Sequence, residues 1–399
     1  MSYRYDVIIV GGGMVGATLA VALTQHSPLK VALIETHQTT PISENDEPEL
    51  RVSALTRASE ILLKNLTIWP LLMSSRISPF TDMKVWETTS NTLHFDSADI
   101  GEPLLGHIIE NRHLQQACLT RCSQIANIDV LCPATPTSRT DNTLTLEDGR
   151  VLTADLIVAA DGAQSLLREW AGITSQGWDY QQSAVVCTVT TEYAHHKTAR
   201  QRFLTEGPLA FLPLADPHQC SIVWSNSTEE ADLLCQLDDE RFKDILGKAF
   251  QSTLGDIITV SKRVRFPLKL RHAAHYVETG FALVGDAAHT IHPLAGQGMN
   301  IGLLDAATLA EIVLDAHQKG RHIGSLHTLH KYQRRRKVDN LIMQLTMDAF
   351  KRVFGSELTP IRWLRQLGLQ TVNKHGLLKN IFMRQAAGHR FANPRLTKH

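Results

Sequence analysis

The feature that most constrains the fold is a glycine-rich turn near the N-terminus. A short apolar run from Tyr5 to Val10 predicts a buried parallel strand, and it leads directly into the hexapeptide GGGMVG at positions 11–16. Small apolar residues at helical spacing follow from Ala17 to Gln25, and Lys30 to Ile34 predicts a second strand. This strand–turn–helix–strand order is typical of a βαβ unit that binds the diphosphate of a dinucleotide.

Each conspicuous residue of this unit has an expected role. Gly11 permits the tight turn, Gly13 lets the backbone approach a pyrophosphate, and Gly16 allows close packing of the helix on the strand. Glu35 follows the second strand, 19 residues beyond Gly16, and can accept hydrogen bonds from a ribose diol. This unit alone leaves NAD and FAD both open.

Two later strands end in acidic turns. Asp155 to Ala160 predicts a buried strand that ends at Asp161, and Phe281 to Val284 predicts another that ends at Gly285-Asp286. A carboxylate at the carboxyl end of such a strand can accept a hydrogen bond from a ligand hydroxyl, because open α/β sheets bind ligands at this edge. An N-cap role is the alternative for Asp161, and both roles can hold at once.

Three motifs in a fixed order carry a family resemblance. They are GGGMVG at 11–16, DGAQSLLR at 161–168 and GDAAHTIHPLAGQGMN at 285–300. Together they resemble the FAD-dependent aromatic hydroxylases. The resemblance implies an α/β fold with a Rossmann-like FAD-binding domain, an inserted antiparallel-sheet substrate domain and a C-terminal helical segment.

Further segments narrow the resemblance within that superfamily. RVSALTRASE at 51–60, GPLAFLPL at 207–214 and YQRRRKVDN at 332–340 resemble the ubiquinone-biosynthesis hydroxylases. The branch that the chain resembles most is that of the 2-polyprenylphenol 6-hydroxylases (2-octaprenylphenol hydroxylases), which act at ring position C5. Sister enzymes acting at other ring positions share most of these motifs, so the position stays open.

The motifs and the resemblance together predict the residues of the site. Those expected to contact FAD are Gly11, Gly13, Met14, Val15, Gly16, Glu35, Arg51, Arg112, Asp161, Asp286, Pro293, Gly296, Gly298, Met299 and Asn300. Family analogy also suggests Leu209, Phe211 and Pro213 as substrate lining, with an ordinary core strand as the alternative. His289 and His292 are proton-relay candidates, although a buried histidine more often satisfies neighbouring protein groups.

The pattern of short strands suggests how the chain is divided. Between Ala184 and Lys269 the sequence changes to alternating and β-branched runs, which predict an antiparallel sheet that 83–86 and 92–95 join. We expect an FAD-binding domain formed by 1–78, 105–178 and 272–330 and a substrate domain formed by 79–104 and 179–271. A helical region is expected over 331–399, where apolar residues including Val338 recur at helical spacing.

The implied reaction is hydroxylation of a polyprenylated phenol by O2, with NAD(P)H or another reductant, in which a flavin C4a-hydroperoxide delivers the oxygen. Membership of a multi-subunit ubiquinone-biosynthesis complex is a further expectation. A non-catalytic FAD-holding subunit and a related flavoprotein of another reaction type remain alternatives. Among the latter, halogenases of this fold carry a Trp-x-Trp segment, and none of the six tryptophans is spaced in that way. No ordered set of metal ligands is seen, so no metal is expected.

Charge is distributed unevenly along the chain. The formal net charge is zero, which disfavours a nucleic-acid binder. Residues 331–399 nevertheless carry 15 Lys/Arg against 3 Asp/Glu, a net charge of +12. No apolar run approaches the roughly 18 residues of a membrane span. The sequence therefore predicts a cytoplasmic protein, peripheral to the inner membrane, whose basic tail contacts a membrane surface, an acidic partner or the protein's own core.

Overall fold

The computed structural model describes residues 2–87, 92–290, 298–354 and 393–398. Among these residues the strands are β1 (Ser2–Val10), β2 (Val31–Ile34), β3 (Val52–Thr56), β4 (Ile77–Phe80), β5 (Asp82–Trp86), β6 (Thr92–Asp96), β7 (Gly106–Glu110), β8 (Ile128–Leu131), β9 (Pro136–Thr140), β10 (Thr143–Leu146), β11 (Val151–Ala159), β12 (Ser175–Thr191), β13 (Thr198–Phe203), β14 (Pro208–Pro213), β15 (Gln219–Ser227), β16 (Ile257–Val260), β17 (Val264–Ala273), β18 (Val277–Glu278), β19 (Phe281–Leu283) and β20 (His289–Thr290). The α-helices are α1 (Met14–Thr24), α2 (Arg57–Asn65), α3 (Asn111–Ser123), α4 (Leu166–Trp170), α5 (Thr228–Gln236), α6 (Asp239–Ala249), α7 (Gly298–Gln318) and α8 (Leu326–Phe354).

The first sheet contains the predicted βαβ unit. Its strands run in the order β18-β19-β11-β1-β2-β8, and the hairpin β9–β10 joins it through β11. Strands β19, β11, β1, β2 and β8 are mutually parallel. Val7 to Val10 are buried at every position, as expected for a central parallel strand covered on both faces.

The second sheet is the predicted antiparallel one. Its order is β20-β17-β12-β15-β14-β13-β5-β6, with β16 paired to β12, and only β13 and β5 pair in parallel. The segments 83–86 and 92–95 lie in β5 and β6, so the prediction that they join this sheet is confirmed. Helices α5 and α6 cover one face, where Phe242, Leu246 and Phe250 are fully buried.

A third sheet, in the order β3-β7-β4, lies against the second sheet through Phe80 and Ile108. The expected fold class, an α/β protein with a Rossmann-like unit and an antiparallel sheet, is therefore confirmed. The second sheet draws on β12 from Ser175 and on β17 up to Ala273. The domain boundaries given above stay a prediction.

Helix α8 shows that the start of the predicted tail is helical. Tyr332, Arg336 and Asn340 are buried, whereas Val338 is 58% exposed and Leu341 is 47% exposed. The inward face of this part of the helix is thus aromatic and polar, because the fold supplies buried partners for Arg336 and Asn340. Residues 355–392 of the predicted tail lie outside the described residues.

The last described segment returns to the body of the protein. The Asn65 side-chain amide donates to the Leu396 carbonyl at 2.8 Å, and the Arg395 main-chain N–H donates to Glu311 at 2.8 Å. Residues 393–398 therefore contact helices α2 and α7. Within the described part of the chain, no helix is both long and apolar enough to cross a bilayer.

Candidate active site

The three motifs meet at one edge of the first sheet. Strands β19, β11 and β1 are neighbours, and each runs directly into one motif. The Arg168 guanidinium of the second motif donates to the Ala287 carbonyl of the third at 2.9 Å. Because parallel strands end at a common edge, segments that are more than 100 residues apart in sequence form a single site.

The glycine turn combines tight packing with one open position. Gly11 has φ of +108°, and a Cβ atom there would lie 2.2 Å from the Ala160 carbonyl oxygen. A Cβ at Gly16 would lie 2.0 Å from the Gly11 carbonyl oxygen. At Gly13, the N-cap of α1, a Cβ would meet no described atom within 4 Å. Gly11 and Gly16 therefore allow close packing, whereas Gly13 leaves space at a helix N-terminus, which attracts an anion.

Glu35 is tied to the turn that precedes it. Its two carboxylate oxygens accept the main-chain N–H groups of Gly12 at 2.7 Å and His37 at 2.9 Å. The Gln115 amide donates to the Gly12 carbonyl at 3.1 Å, so helix α3 also braces the turn. A carboxylate has about four lone-pair sites, and Glu35 thus retains capacity to accept from a ribose diol.

Met14 and Val15 form the first turn of α1, and both are partly buried against the core. Val15 contacts the third motif directly: a Cβ built at Gly285 would lie 3.4 Å from its side chain, and one at Gly302 would lie 2.7 Å from it. Val15 therefore packs α1 against the turn that carries Asp286.

One carboxylate oxygen of Asp161 accepts a hydrogen bond from the protein, and the other has no partner among the described residues. Oδ2 accepts the Leu167 N–H at 3.2 Å, consistent with the expected role at the start of α4, although Ser165 is the N-cap itself. Oδ1 is buried and has no hydrogen-bond partner among the described residues. Burial raises the pKa of Asp161 above its usual value. An unsatisfied buried oxygen at this edge fits a cofactor that donates a hydroxyl hydrogen bond.

Asp286 combines solvent exposure with a desolvated carboxyl group. Its side chain is exposed, yet desolvation by the surrounding protein raises its pKa, against the opposing effects of His289 and Arg51. A group that water reaches but that dense protein surrounds occupies a recess rather than a convex surface. The charge of Arg51, another predicted FAD-binding residue, thus acts on the Asp286 carboxyl group.

The two predicted arginines occupy different positions. Arg51 is exposed, and its guanidinium carbon lies 5.4 Å from the centre of the Phe266 ring on β17. Strand β3 follows it directly. Arg112 lies in the first turn of α3, pairs with Glu49 at 2.8 Å, and has a buried Nε without a partner among the described residues.

Asn300 is committed to the protein. Its side-chain oxygen accepts from the Thr56 N–H at 2.9 Å and the Ser59 hydroxyl at 2.8 Å, and its amide donates to the Ala54 carbonyl at 2.7 Å. One amide N–H and the main chain of Asn300 thus remain for a contact with FAD. Gly298 and Met299 begin the described part of α7, whereas His292, Pro293 and Gly296 lie outside the described residues.

His289 is buried, and its Nε2 lies 2.5 Å from Asp305. This arrangement favours the alternative considered above, a histidine that satisfies neighbouring protein groups. Arg336 of α8 contacts the other oxygen of Asp305, also at 2.5 Å.

The predicted substrate lining needs correction. Leu209 and Phe211 are fully buried on the face of β14 that α5 and α6 cover, and the Phe211 ring stacks on Phe250 with centroids 3.5 Å apart. Pro213 shares their strand parity at the end of β14. These side chains are core because successive residues of a strand point to opposite faces, and the apolar run alone does not reveal which face is which.

The opposite face of the second sheet is uncharged at the following positions of β12, β14, β15 and β17: Ala184, Val186, Thr188, Ala210, Leu212, Ser221, Val223, Ser225, Phe266 and Leu268. Ala210 and Leu212 pack on the third sheet. Val223, Phe266 and Leu50 are only partly buried, and all three pack against the cluster of Ala184, Val186 and Leu268. An apolar surface with partial access thus lies beside Arg51.

Several residues of the site carried no clear sequence signal. Gln115 contacts the first motif, Asp305 contacts the third, and Arg336 contacts Asp305, but none of the three was predicted to do so. An acid within the apolar helix α7 could have pointed to Asp305 as a buried charge. Arg336 sits in the run QRRRK, which reads as an exposed charged segment.

Comparisons with known proteins agree with this geometry. A family model described as an FAD binding domain matches residues 134–345. The chain is 38% identical over 387 residues to the 3-demethoxyubiquinol 3-hydroxylase of Escherichia coli (strain K12), covering 96% of this chain and 98% of that protein. It is 33% identical over 431 residues to the human mitochondrial ubiquinone biosynthesis monooxygenase COQ6, covering 95% of this chain and 92% of that protein.

A solved structure shares the fold at low sequence identity. The p-nitrophenol 4-monooxygenase PnpA from Pseudomonas putida superposes with a TM-score of 0.79 at 18% identity, over 98% of this chain and 100% of that one. The open Gly13 position, the unsatisfied oxygen of Asp161 and the recessed Asp286 fit FAD as the cofactor. The chain is therefore an FAD-dependent monooxygenase and belongs to the family of flavin hydroxylases that includes those of ubiquinone biosynthesis.

Proposed function

We propose that this protein hydroxylates the aromatic ring of a polyprenylated phenol on the route to ubiquinone. The observation that carries the proposal is the position of Arg51, which contacts Phe266 on an uncharged sheet face and also influences Asp286 at the flavin edge. The positions of this sheet face named above are uncharged, so a neutral, apolar ring suits the surface that they form.

Different residues of the chain would bind the different parts of FAD and the aromatic ring. The N-terminus of α1 at Gly13 would hold the FAD diphosphate, Glu35 the adenosine ribose and Asp286 the ribityl chain. FAD supplies the oxygen chemistry, drawing on O2 and on NAD(P)H or another reductant. Val223, Phe266 and Leu50 would orient the ring and exclude water from it.

The ring position divides the proposal into two candidates. The motifs favour hydroxylation at C5 of a 2-polyprenylphenol. The Escherichia coli relative is named for hydroxylation of 3-demethoxyubiquinol, which favours a different ring position on a different substrate. Both substrates are polyprenylated, electron-rich rings, and the apolar face suits either.

A labelling experiment tests the proposal and separates the candidates. The flavin-loaded protein would be given NADH or NADPH under 18O2, together with a short-chain 2-prenylphenol or a short-chain demethoxyubiquinol. We expect one 18O atom in the product of one substrate, with substrate-stimulated NAD(P)H oxidation. If neither ring gains oxygen and neither stimulates oxidation, the alternative of a non-catalytic FAD-holding subunit replaces this proposal. Mass spectrometry of the quinone intermediates that accumulate without the protein gives an independent readout.

We further propose that the protein is cytoplasmic and binds the inner-membrane surface, or a partner subunit there, through 331–399. The exposed Val338 and Leu341 on α8 and the net charge of +12 support this. Each basic residue near an anionic leaflet contributes about 1 kcal/mol. Replacing Arg352, Arg362 and Arg365 by Glu should weaken salt-sensitive binding to anionic vesicles while FAD content is retained. Unchanged binding combined with a loss of thermal stability would instead identify the tail as a structural cap.

A further inference from the structure

A buried polar network lies behind the turn that carries Asp286. We use "the polar network" for His289, Asp305, Arg336, Asn340 and Tyr276. All five residues are almost completely inaccessible to solvent, and Asp305 is 0% exposed. Polar groups so deep in a protein are costly unless they are fully paired, so their arrangement is restrictive.

Asp305 holds both ends of the Asp286 turn. Its Oδ2 accepts the Gly285 main-chain N–H at 3.1 Å and lies 2.5 Å from Nε2 of His289. Gly285 immediately precedes Asp286, and His289 follows it by three residues. The position of the Asp286 carboxylate therefore depends on one side chain of α7 to which it is not itself bonded.

Arg336 holds Asp305 in turn. Its Nε donates to Oδ1 of Asp305 at 2.5 Å, and its other nitrogens donate to Asn340 at 2.9 Å and Asp339 at 3.1 Å. Burial alone would raise the pKa of Asp305, but His289 and Arg336 hold it at about 2. The carboxylate is thus charged at neutral pH, and it can accept from all three of its donors.

The network also reaches the second sheet. The Asn340 amide donates to the Tyr276 hydroxyl at 3.3 Å, and that hydroxyl lies 3.2 Å from Nδ1 of His272 on β17. Strand β17 also carries Phe266, which contacts Arg51. One chain of hydrogen bonds therefore joins α8, α7, the Asp286 turn and the sheet that faces the flavin edge.

We infer that Asp305 and Arg336 are positioning residues for FAD: they set the orientation of the Gly285–His289 turn and thereby of the Asp286 carboxylate. This inference goes beyond the proposed function, because it does not depend on which aromatic ring is the substrate. It also assigns a role to the YQRRRKVDN segment, in which Arg336 would otherwise be interpreted as a solvent-exposed charge.

The test separates positioning of FAD from simple stabilisation of the fold. Arg336→Met, Arg336→Lys and Asp305→Asn would be compared with two control variants of α8. Leu329→Ala removes a fully buried apolar side chain of the same helix. Arg335→Met removes a surface ion pair with Glu311 that joins the same two helices at 3.0 Å. For each protein we would measure the FAD dissociation constant, the visible circular dichroism of bound flavin and the melting temperature of the apoprotein.

We expect Arg336→Met and Asp305→Asn to raise the FAD dissociation constant about tenfold or more and to change the flavin dichroism. Leu329→Ala should lower the apoprotein melting temperature but leave both flavin readouts near wild type, and Arg335→Met should change little. Arg336→Lys should fold, because it keeps the charge, and should show an intermediate loss of affinity. If the FAD dissociation constant rises in proportion to the loss of melting temperature in every variant, Leu329→Ala included, the inference is wrong. If Arg336→Met does not fold, Arg336→Lys and Asp305→Asn decide by the same criterion.

Discussion

The Glu35 carboxylate accepts the main-chain N–H of Gly12 at 2.7 Å, so the residue expected to bind ribose also restrains the glycine turn. A second bond from the His37 N–H at 2.9 Å holds the other carboxylate oxygen. Loss of this side chain would therefore affect the cofactor site in two ways, through a lost contact and through a looser turn.

We predict that Glu35→Ala weakens FAD binding about tenfold, because a hydrogen bond to a charged group contributes about 1.5–3 kcal/mol. Glu35→Gln should weaken it less, since the amide oxygen can still accept one of the two N–H groups. Fluorescence titration of the apoprotein with FAD measures both. Equal affinities for Glu35→Ala and wild type would remove Glu35 from the site.

Two glycine substitutions should have opposite consequences. Gly13→Ala should leave apoprotein stability within about 1 kcal/mol of wild type, because its φ of −67° suits alanine and the added methyl meets open space. It should nevertheless impair FAD binding, because that space lies where the diphosphate is expected. Gly11→Ala should destabilise the apoprotein itself, since its Cβ would collide with the Ala160 carbonyl. Chemical denaturation of both apoproteins, with FAD titration, checks this pair, and tight FAD binding by Gly13→Ala would contradict it.

Asp286→Ala should reduce FAD affinity about tenfold or more, through loss of a recessed acceptor for the ribityl chain. Asp286→Asn should retain part of the affinity, because the amide oxygen still accepts. Asp244→Ala, at an exposed ion pair with Lys248 on α6, is the matched control and should bind FAD normally. An Asp286→Ala dissociation constant equal to that of the control would refute the assignment.

The correction of the substrate face leads to a contrast between two phenylalanines. Phe211→Ala should cost about 3–5 kcal/mol of unfolding free energy, as expected for a fully buried ring, because it leaves a cavity beside Phe250. Phe266→Ala should cost far less stability but raise the KM for the aromatic substrate, since Phe266 is partly exposed beside Arg51. Urea denaturation and steady-state kinetics separate the two. A KM effect confined to Phe211→Ala would restore the original prediction.

His272 should make stability depend on pH. Burial, with the nearby charges of His289 and Lys337, lowers its pKa from 6.5 to about 4. Between these values the unfolded chain binds a proton that the folded chain does not, so stability falls as pH decreases from 6.5 to about 4. His272→Asn should remove about 1–3 kcal/mol of this decline relative to wild type. Urea unfolding at pH 7.5, 5.5 and 4.5 checks the difference, and parallel curves for both proteins would rule out the effect.

Residue type and spacing over short stretches of the chain determined much of the fold and of the candidate site. The βαβ unit, the acidic turns at Asp161 and Asp286 and the antiparallel strands could be predicted because they depend on residue type and spacing over a few residues. The FAD family could be predicted because its motifs each follow a strand, and parallel strands end at one edge. The helical start of the tail could be predicted for the same local reason.

Only the tertiary structure decided which side chains face the site. Leu209 and Phe211 have the same apolar character as Val223 and Phe266, yet the helices α5 and α6 make the first pair core. Arg336 lies in a basic run that resembles solvent-exposed segments, and only its meeting with Asp305, 31 residues away, buries it. Such choices depend on which surfaces pack together across distant segments, and the alternation of a strand or the period of a helix is the same whichever face is covered.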